Sequence, residues 1–431
     1  MVIRRTFWGI LFILVISLIG AIWFQPDVRI YSQIVFLLVL LIISSFIWTF
    51  FSLRGILLKR YARSFRQQLG QVFEERFEII NRLPIPRVYI EIRDLSEIPG
   101  IGGSKVIAWL PAKEIRNYIA YTYLSKRGEF TLGPTELYAS DPFGLFSFTM
   151  NVPDDRCLLV LPHLFDLQSF PLPPGFLPGG RALRRKTSEV TPHAAGVREY
   201  MPGDSLNRIH WATTARRNKI MVKEFEQDPM ADVWILLDGQ SIIQASLHNG
   251  YTAPDIDQFW LLRNRIEITL PPDTFEYGVC IAASTAQYFI RRSLAVGFAC
   301  AGQSLTVLSS ERGERQLNKI LEMLALLKCE GELPMLGLVE AQAPHLPRGS
   351  TVVLITSSVL DNIALSTDEL VQRNLRPVVV LVDPSTFGSI YKTEKIAANL
   401  ATRRIPYVIV SRGADIKQTL ENGFSYIPRG Y

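Results

Sequence analysis

The chain has 431 residues, 48% of them hydrophobic and only 20% charged, which excludes an intrinsically disordered protein and a mini-protein held together by staples. Its four cysteines, Cys157, Cys280, Cys300 and Cys329, lie far apart with no C-x-x-C pair, so a disulfide framework and a zinc knuckle are excluded and buried free thiols in a reducing compartment are expected. The net charge of +6 is concentrated in residues 1–66, where Arg4, Arg5, Arg29, Arg54, Lys59, Arg60, Arg63 and Arg66 oppose Asp27 alone; that segment is +7, the remainder −1, and no nucleic-acid partner is expected.

That basic excess flanks the most apolar part of the chain. Phe7–Phe24 and Ile34–Leu53 are uncharged runs of 18 and 20 residues, about 27 and 30 Å long as helices, enough to cross a bilayer core. Gln25–Gln33 between them is too short for anything but a return, and Pro26 breaks the helix there. Arginines precede the first run and follow the second, so the positive-inside rule predicts a two-helix hairpin in the plasma membrane with both termini cytoplasmic. A cleaved signal peptide is the alternative, but Ile19-Gly20-Ala21-Ile22-Trp23 offers no A-x-A-like site.

After the hairpin, Arg54 to about Glu75 is rich in helix formers and free of proline, which predicts a helix leaving the membrane. Phe77–Asn81, Arg87–Arg93, Val106–Leu110, Asn117–Leu124, Gly128–Leu132 and Cys157–Leu161 are short, alternating or β-branched segments separated by Pro and Gly. They predict a small antiparallel β-sandwich. From Met230 onward, apolar strands at Val233–Leu237, Ala295–Ala301, Thr351–Thr356, Pro377–Val382 and Pro406–Val410 alternate with helices at Tyr277–Arg292, Glu314–Leu327, Thr367–Leu375 and Glu394–Arg404. That alternation predicts a parallel sheet covered on both faces, a doubly wound α/β domain with a long connection from Ile242 to Thr274. The fold class is α+β multidomain: residues 1–66 the hairpin and start of the juxtamembrane helix, 67–180 the sandwich, 181–229 a linking segment, and 230–431 the α/β domain.

The linking segment holds the most distinctive residues. Arg198, Tyr200, Pro202, Gly203, Asp204, Ile209, His210, Trp211, Ala215, Arg216, Val222, Lys223 and Glu224, with Arg127-Gly128, Gly133-Pro134 and Asp141-Pro142-Phe143-Gly144-Leu145-Phe146 upstream, form a specific pattern. It resembles the bacterial domain of unknown function 58 family, with one departure: Asn207 stands where the family shows an arginine, and Arg208 follows. The resemblance implies a membrane-anchored protein with a von Willebrand factor A-like domain and a protein partner, a MoxR-type AAA ATPase among the candidates, in the assembly or regulation of complexes. It implies no assigned reaction.

The residues themselves leave two readings of this block. Met201-Pro202-Gly203-Asp204 has turn chemistry, and Asp204 is placed to cap Ser205–Ile209. Arg198, Arg208, Arg216 and Lys223 alternate with acids, and Tyr200, His210 and Trp211 add bulk with polar handles. The block is either a structural seam between sandwich and α/β domain, with Trp211 packed inside, or a partner-binding patch.

The chemical alternatives are weaker. A von Willebrand factor A-like domain binds a divalent cation through D-x-S-x-S after its first strand, and the corresponding Asp238-Gly239-Gln240-Ser241-Ile242 keeps the aspartate while Gln240 and Ile242 replace both serines. A degenerate site and no bound metal are expected. Gly203-Asp204-Ser205-Leu206 spells the GDSL string of serine esterases, yet no buried strand leads into it and the chain holds no D-x-x-H to activate Ser205. The glycines at 100–103 and 175–180 lack the strand-to-helix context of a phosphate cradle, and the five histidines include no i, i+4 pair. No cofactor is implied. A non-enzymatic membrane-anchored interaction protein is the expected function; a metal-dependent or hydrolytic enzyme using residues 198–241 is the alternative.

Overall fold

The computed structural model describes residues 2–23, 28–100, 102–170, 194–201, 209–225, 232–247 and 270–425. They belong to two compact units, residues 1–162 with 251–271, and residues 163–250 with 272–431.

In the first unit a two-residue strand β1 (Val2–Ile3) precedes helices α1 (Arg5–Trp23) and α2 (Val28–Ser52). Within α2, Arg29–Ser52 is long and apolar enough to cross a membrane; the apolar part of α1, Arg5–Gly20, is shorter. The helices lie against each other, and Gly20 allows this: a Cβ there would sit 2.8 Å from the Tyr31 ring.

The strands that follow are β2 (Ile56–Ala62), β3 (Arg66–Gln68), β4 (Val72–Asn81), β5 (Arg87–Asp94), β6 (Lys105–Leu110), β7 (Ile115–Tyr123), β8 (Gly128–Thr131), β9 (Thr135–Ser140), β10 (Phe146–Val152) and β11 (Cys157–Leu161). A sheet ordered β1-β10-β9-β5-β6 and a sheet ordered β2-β4-β7, both antiparallel, share one core through Leu58, Phe77, Ile79, Ile90, Ile92 and Leu137. A third, small sheet is ordered β3-β11-β8. The alternation on β4 is clean, with Phe73, Phe77 and Ile79 buried between exposed or half-buried neighbours.

The helix expected from Arg54 to Glu75 is absent, and β2, β3 and the start of β4 occupy that stretch. Gly55 ends α2 at a φ of +73°, where a Cβ would lie 2.6 Å from Leu83 Cγ, so the turn there admits glycine alone. Beyond it Ile56, Leu58 and Arg60 point inward at a spacing of two. Arg60 is decisive: its guanidinium is buried between Glu75 (2.5 Å) and Asp94 (3.1 Å), partners supplied by β4 and β5. Helix propensity yields to those long-range pairings.

In the second unit, β12 (Ala194–Glu199), α3 (Trp211–Arg217) and β13 (Met221–Phe225) precede an α/β layer structure. Its strands are β14 (Val233–Leu237), β15 (Val296–Ala301), β16 (Leu305–Glu311), β17 (Thr351–Thr356), β18 (Arg376–Val382) and β19 (Tyr407–Val410). Its helices are α4 (Thr274–Arg291), α5 (Glu314–Leu326), α6 (Met335–Gln342), α7 (Asn362–Gln372), α8 (Glu394–Thr402) and α9 (Ile416–Asn422). The sheet is ordered β16-β15-β14-β17-β18-β19 and is parallel except for β16 at its edge. Trp234 and Leu236 face a core shared with α6, α7 and α8. The alternate residue Leu237 faces α4, where Gly278 comes so close that a Cβ would meet Leu237 Cδ1 at 3.1 Å. The sheet is thus covered on both faces, which is why its strands read as unbroken apolar runs.

The helix expected at Thr367–Leu375 lies earlier, at Asn362–Gln372, and β16, α6 and α9 are additions to the sequence reading. The connection expected from Ile242 to Thr274 is described only to residue 247 and from residue 270.

Candidate functional site

Two places in the second unit hold the residues singled out from the sequence. In the first, β12 pairs antiparallel with β13, setting Val197 opposite Lys223 and Arg198 opposite Val222. Tyr200 extends the ladder by donating its N–H to Ile220 O at 2.9 Å. On the other edge of β13, Ile209 bridges Val222, and the His210 N–H donates to Met221 O at 2.8 Å. His210 then caps α3: its Nδ1 accepts from the Thr213 N–H at 3.2 Å and lies 2.7 Å from Thr213 Oγ1. The imidazole is therefore committed to helix initiation. Asn218 ends the helix in the left-handed conformation, with Arg216 and Arg217 in the last turn, where cations suit the helix dipole.

Ile209, Met221 and Val222 are buried beneath this arrangement, whereas α3 buries none of its residues. Trp211, packed inside in the seam reading and left open in the patch reading, is 70% exposed in this unit, as the first residue of a helix that buries none of its residues. Met201 and Ile220, at 63% and 49%, are exposed as well. Pro202, Gly203, Asp204 and Arg208 lie outside the described residues, as does the side chain of Lys223, so the cap expected from Asp204 has no described geometry.

The second place is the carboxyl end of β14. In the sheet order, β14 is the strand from which the chain runs one way to β15 and β16 and the other way to β17, β18 and β19. The carboxyl ends of such a pair of strands form the crevice where open α/β sheets bind ligands. Asp238 sits there, 2% exposed. Its Oδ2 accepts from Thr356 Oγ1 at 2.7 Å and its Oδ1 from the Gln240 N–H at 3.2 Å. Burial pushes its carboxyl up to about 6, against the opposing pull of those two donors.

The chain itself fills the surroundings. Gln244 Nε2 donates to Asp238 O at 3.2 Å, and Gln244 Oε1 accepts from Thr274 Oγ1 at 2.6 Å and from Ser357 Oγ at 2.9 Å. The remaining cavity, about 10 Å³, is at the lower limit for one water. Ser241 opens a short 3-10 turn, its N–H bonded to Gly331 O at 2.9 Å, and Ile242 in that turn is 84% exposed. Asp361 is engaged with Lys395 and Asn399, each at 3.0 Å. Among the described residues no group of three or more His, Cys, Asp or Glu side chains is placed to hold a metal ion.

Sequence reasoning reached Asp238, Gln240 and Ser241 from the strand-end motif and missed Gln244, Thr274 and Thr356. The available signal for Thr356 was a hydroxyl closing an otherwise apolar buried strand.

Residues 196–248 match the family described as Protein of unknown function DUF58. The chain is also similar to the Uncharacterized protein YeaD of Bacillus subtilis (strain 168), with 23% identity over 266 residues, 59% of this chain and 58% of that protein. The chain thus spans less than two thirds of that relative's length. The two matches support a DUF58 protein. Among solved structures, the GH20 exo beta-N-acetylglucosaminidase from Vibrio harveyi aligns over 86% of this chain and 63% of that one at 9% identity, with a TM-score of 0.17, too low to bear on the fold.

Proposed function

We propose that the chain is a membrane-anchored interaction protein that docks a protein partner through the surface of residues 198–201 and 209–222, with a MoxR-type AAA ATPase the first partner to test. The observation that carries this reading is the exposure of Trp211, with Met201 and Ile220 exposed as well, within the segment that matches the family. A large aromatic left on the surface of a short helix stabilises the fold little, and tryptophan with arginine is the pairing enriched where protein surfaces meet. Arg216 and Arg217, on the same helix, supply the arginines.

The finer architecture belongs to the same proposal. The uncharged runs of α1 and α2, with Arg4 and Arg5 before the first and Arg54 after the second, support a two-helix hairpin with both ends in the cytoplasm. Asp238 at the end of the first sheet strand supports a von Willebrand factor A-like domain whose cation position has been closed: Thr356 and the Gln240 backbone occupy the carboxylate, and Gln244 fills the adjoining space. A site closed in this way favours docking over catalysis.

A photo-crosslinking residue in place of Trp211 tests the reading in native membranes. One discrete adduct, reduced when Arg216 is also replaced by Glu and identified by mass spectrometry as a protein partner, is the expected result. Absence of any adduct, with the same residue at exposed Ile390 as the control, would count against it.

A further inference from the structure

The element Asp141–Phe146 was singled out in the sequence and takes no part in the partner surface. In the structure it is the tight turn between β9 and β10, organised by one buried carboxylate. Asp141, 3% exposed, accepts from the Phe146 N–H at 2.7 Å through Oδ1 and from the Phe143 N–H at 2.9 Å through Oδ2. The same Oδ2 accepts from Ser45 Oγ of α2 at 3.1 Å. The turn is held to α1 as well: the Arg4 N–H donates to Leu145 O at 3.0 Å and Thr6 Oγ1 donates to Gly144 O. The Phe146 ring packs on Phe7 and Phe46, with centroids at 5.3 and 5.8 Å.

These contacts fix a common level for the two helices. Phe7 near the start of α1 and Phe46 in α2 flank one ring, so α2 from Val28 to Phe46 and α1 from Arg5 to Trp23 cover the same ~27 Å, about one hydrocarbon core. The last turns of α2, with exposed Trp48, Phe50 and Phe51, then stand at headgroup depth, and so does the turn, whose Phe143 is 56% exposed. Cations share that depth: Arg4, Arg5 and Arg54 are exposed, and the Arg54 guanidinium lies 4.0 Å from the Phe50 ring centroid. Beneath Arg54, the buried Arg87 donates Nη2 to Arg54 O at 3.1 Å, while its Nε finds no hydrogen-bond partner among the described residues.

The geometry points to a lipid-binding collar: Phe143 of the turn, with Trp48, Phe50 and Phe51 of α2, inserts at the headgroup level, and Arg4, Arg5 and Arg54 engage the phosphates of anionic lipids. The inference rests on the membrane-anchored reading above. Aromatic rings favour this interface, and clustered cations beside an apolar span attract an anionic leaflet. The turn thereby seats the sandwich on the bilayer surface through Asp141 and Ser45.

The test places a bimane probe at Phe143→Cys in the full chain, in a Cys157→Ser, Cys329→Ser background, reconstituted in nanodiscs of phosphatidylcholine with or without phosphatidylglycerol. Headgroup-level and mid-chain nitroxide lipids serve as quenchers, and a probe at Phe36→Cys reports on the core of the span. The Phe143 probe should be quenched more by the headgroup nitroxide, about twofold more strongly with phosphatidylglycerol present. Arg4→Gln, Arg5→Gln and Arg54→Gln together should abolish the phosphatidylglycerol dependence. A quenched Phe36 probe beside an unquenched Phe143 probe overturns the collar and leaves the anchor standing. Quenching at neither position overturns both, and headgroup quenching indifferent to phosphatidylglycerol overturns the anionic-lipid assignment.

Discussion

Thr356 Oγ1 donates to Asp238 Oδ2 at 2.7 Å, joining the carboxyl ends of two adjacent parallel strands, β14 and β17. Thr356 Oγ1 in turn accepts from the Ser358 N–H at 2.9 Å, so one hydroxyl serves the carboxylate and the following loop together. The carboxylate at the end of β14 is thus organised by the chain's own donors.

The first prediction concerns charge. Burial holds the Asp238 carboxyl at about 6, above the ordinary 3.8. Between those values the folded state binds a proton that the unfolded chain has released, so the group favours folding below the window and that contribution is lost as pH rises through it. Asp238→Asn, which keeps the shape without the charge, should raise stability at pH 7.5 by about 2 kcal/mol and change it little at pH 4. Melting of the full chain in detergent at both pH values measures this; an equal shift at both would contradict it.

The second concerns the donor. Thr356→Val leaves the Asp238 carboxylate without its side-chain hydrogen bond and the Ser358 N–H without its acceptor. A loss of about 1–3 kcal/mol is expected, larger at neutral than at acid pH, with Thr356→Ser restoring most of it. Thermal melting of the three proteins side by side decides the matter, and a Val variant as stable as the parent would refute it.

In the first unit, Arg60→Met should be among the most damaging single changes. It leaves Glu75 and Asp94 buried together without their cation, at a cost of about 3–5 kcal/mol. Adding Glu75→Gln and Asp94→Asn should recover much of the loss, because no uncompensated buried charge then remains. Denaturant midpoints of the single and triple variants provide the check. If the triple variant is less stable than Arg60→Met, the buried charges are not the cause.

How much of this was legible in the sequence depended on whether the deciding contact was local. Val233–Leu237 and Thr351–Thr356 are continuous β-branched and apolar runs, and a strand covered on both faces admits little else. Leu305–Glu311 alternates exposed and half-buried residues at the sheet edge, a weaker signal than a buried run. Ile56–Ala62 misled because Leu, Lys and Arg favour helices while the strand is fixed by Glu75 and Asp94, 15 and 34 residues beyond Arg60. At the site, Asp238 could be found from its place after an apolar strand. Thr356 could not be linked to it without knowing that β17 lies beside β14, 118 residues away. For Trp211 the sequence leaves seam and patch open, because an aromatic side chain in a short polar segment fits either, and its 70% exposure on a helix that buries no residue is seen only in the fold.

For the hairpin, reporter fusions at Ser32 and at Tyr431 should lie on opposite sides of the membrane, the second in the cytoplasm. Both on one side, or an external carboxyl terminus, would remove the cytoplasmic location from the proposed function.

The central claim, that the Trp211 surface binds a partner, is tested most directly by measuring melting and partner recovery on the same variant. Trp211→Ala should leave the melting temperature of the full chain unchanged, since an exposed side chain contributes within about 0.5 kcal/mol to folding. The same variant should lose the crosslinked partner from native membranes, as expected for an aromatic anchor at an interface. A clearly lowered melting temperature, as expected from the loss of several kcal/mol typical of a truncated core aromatic, with partner recovery intact, would contradict the account and return Trp211 to a structural role.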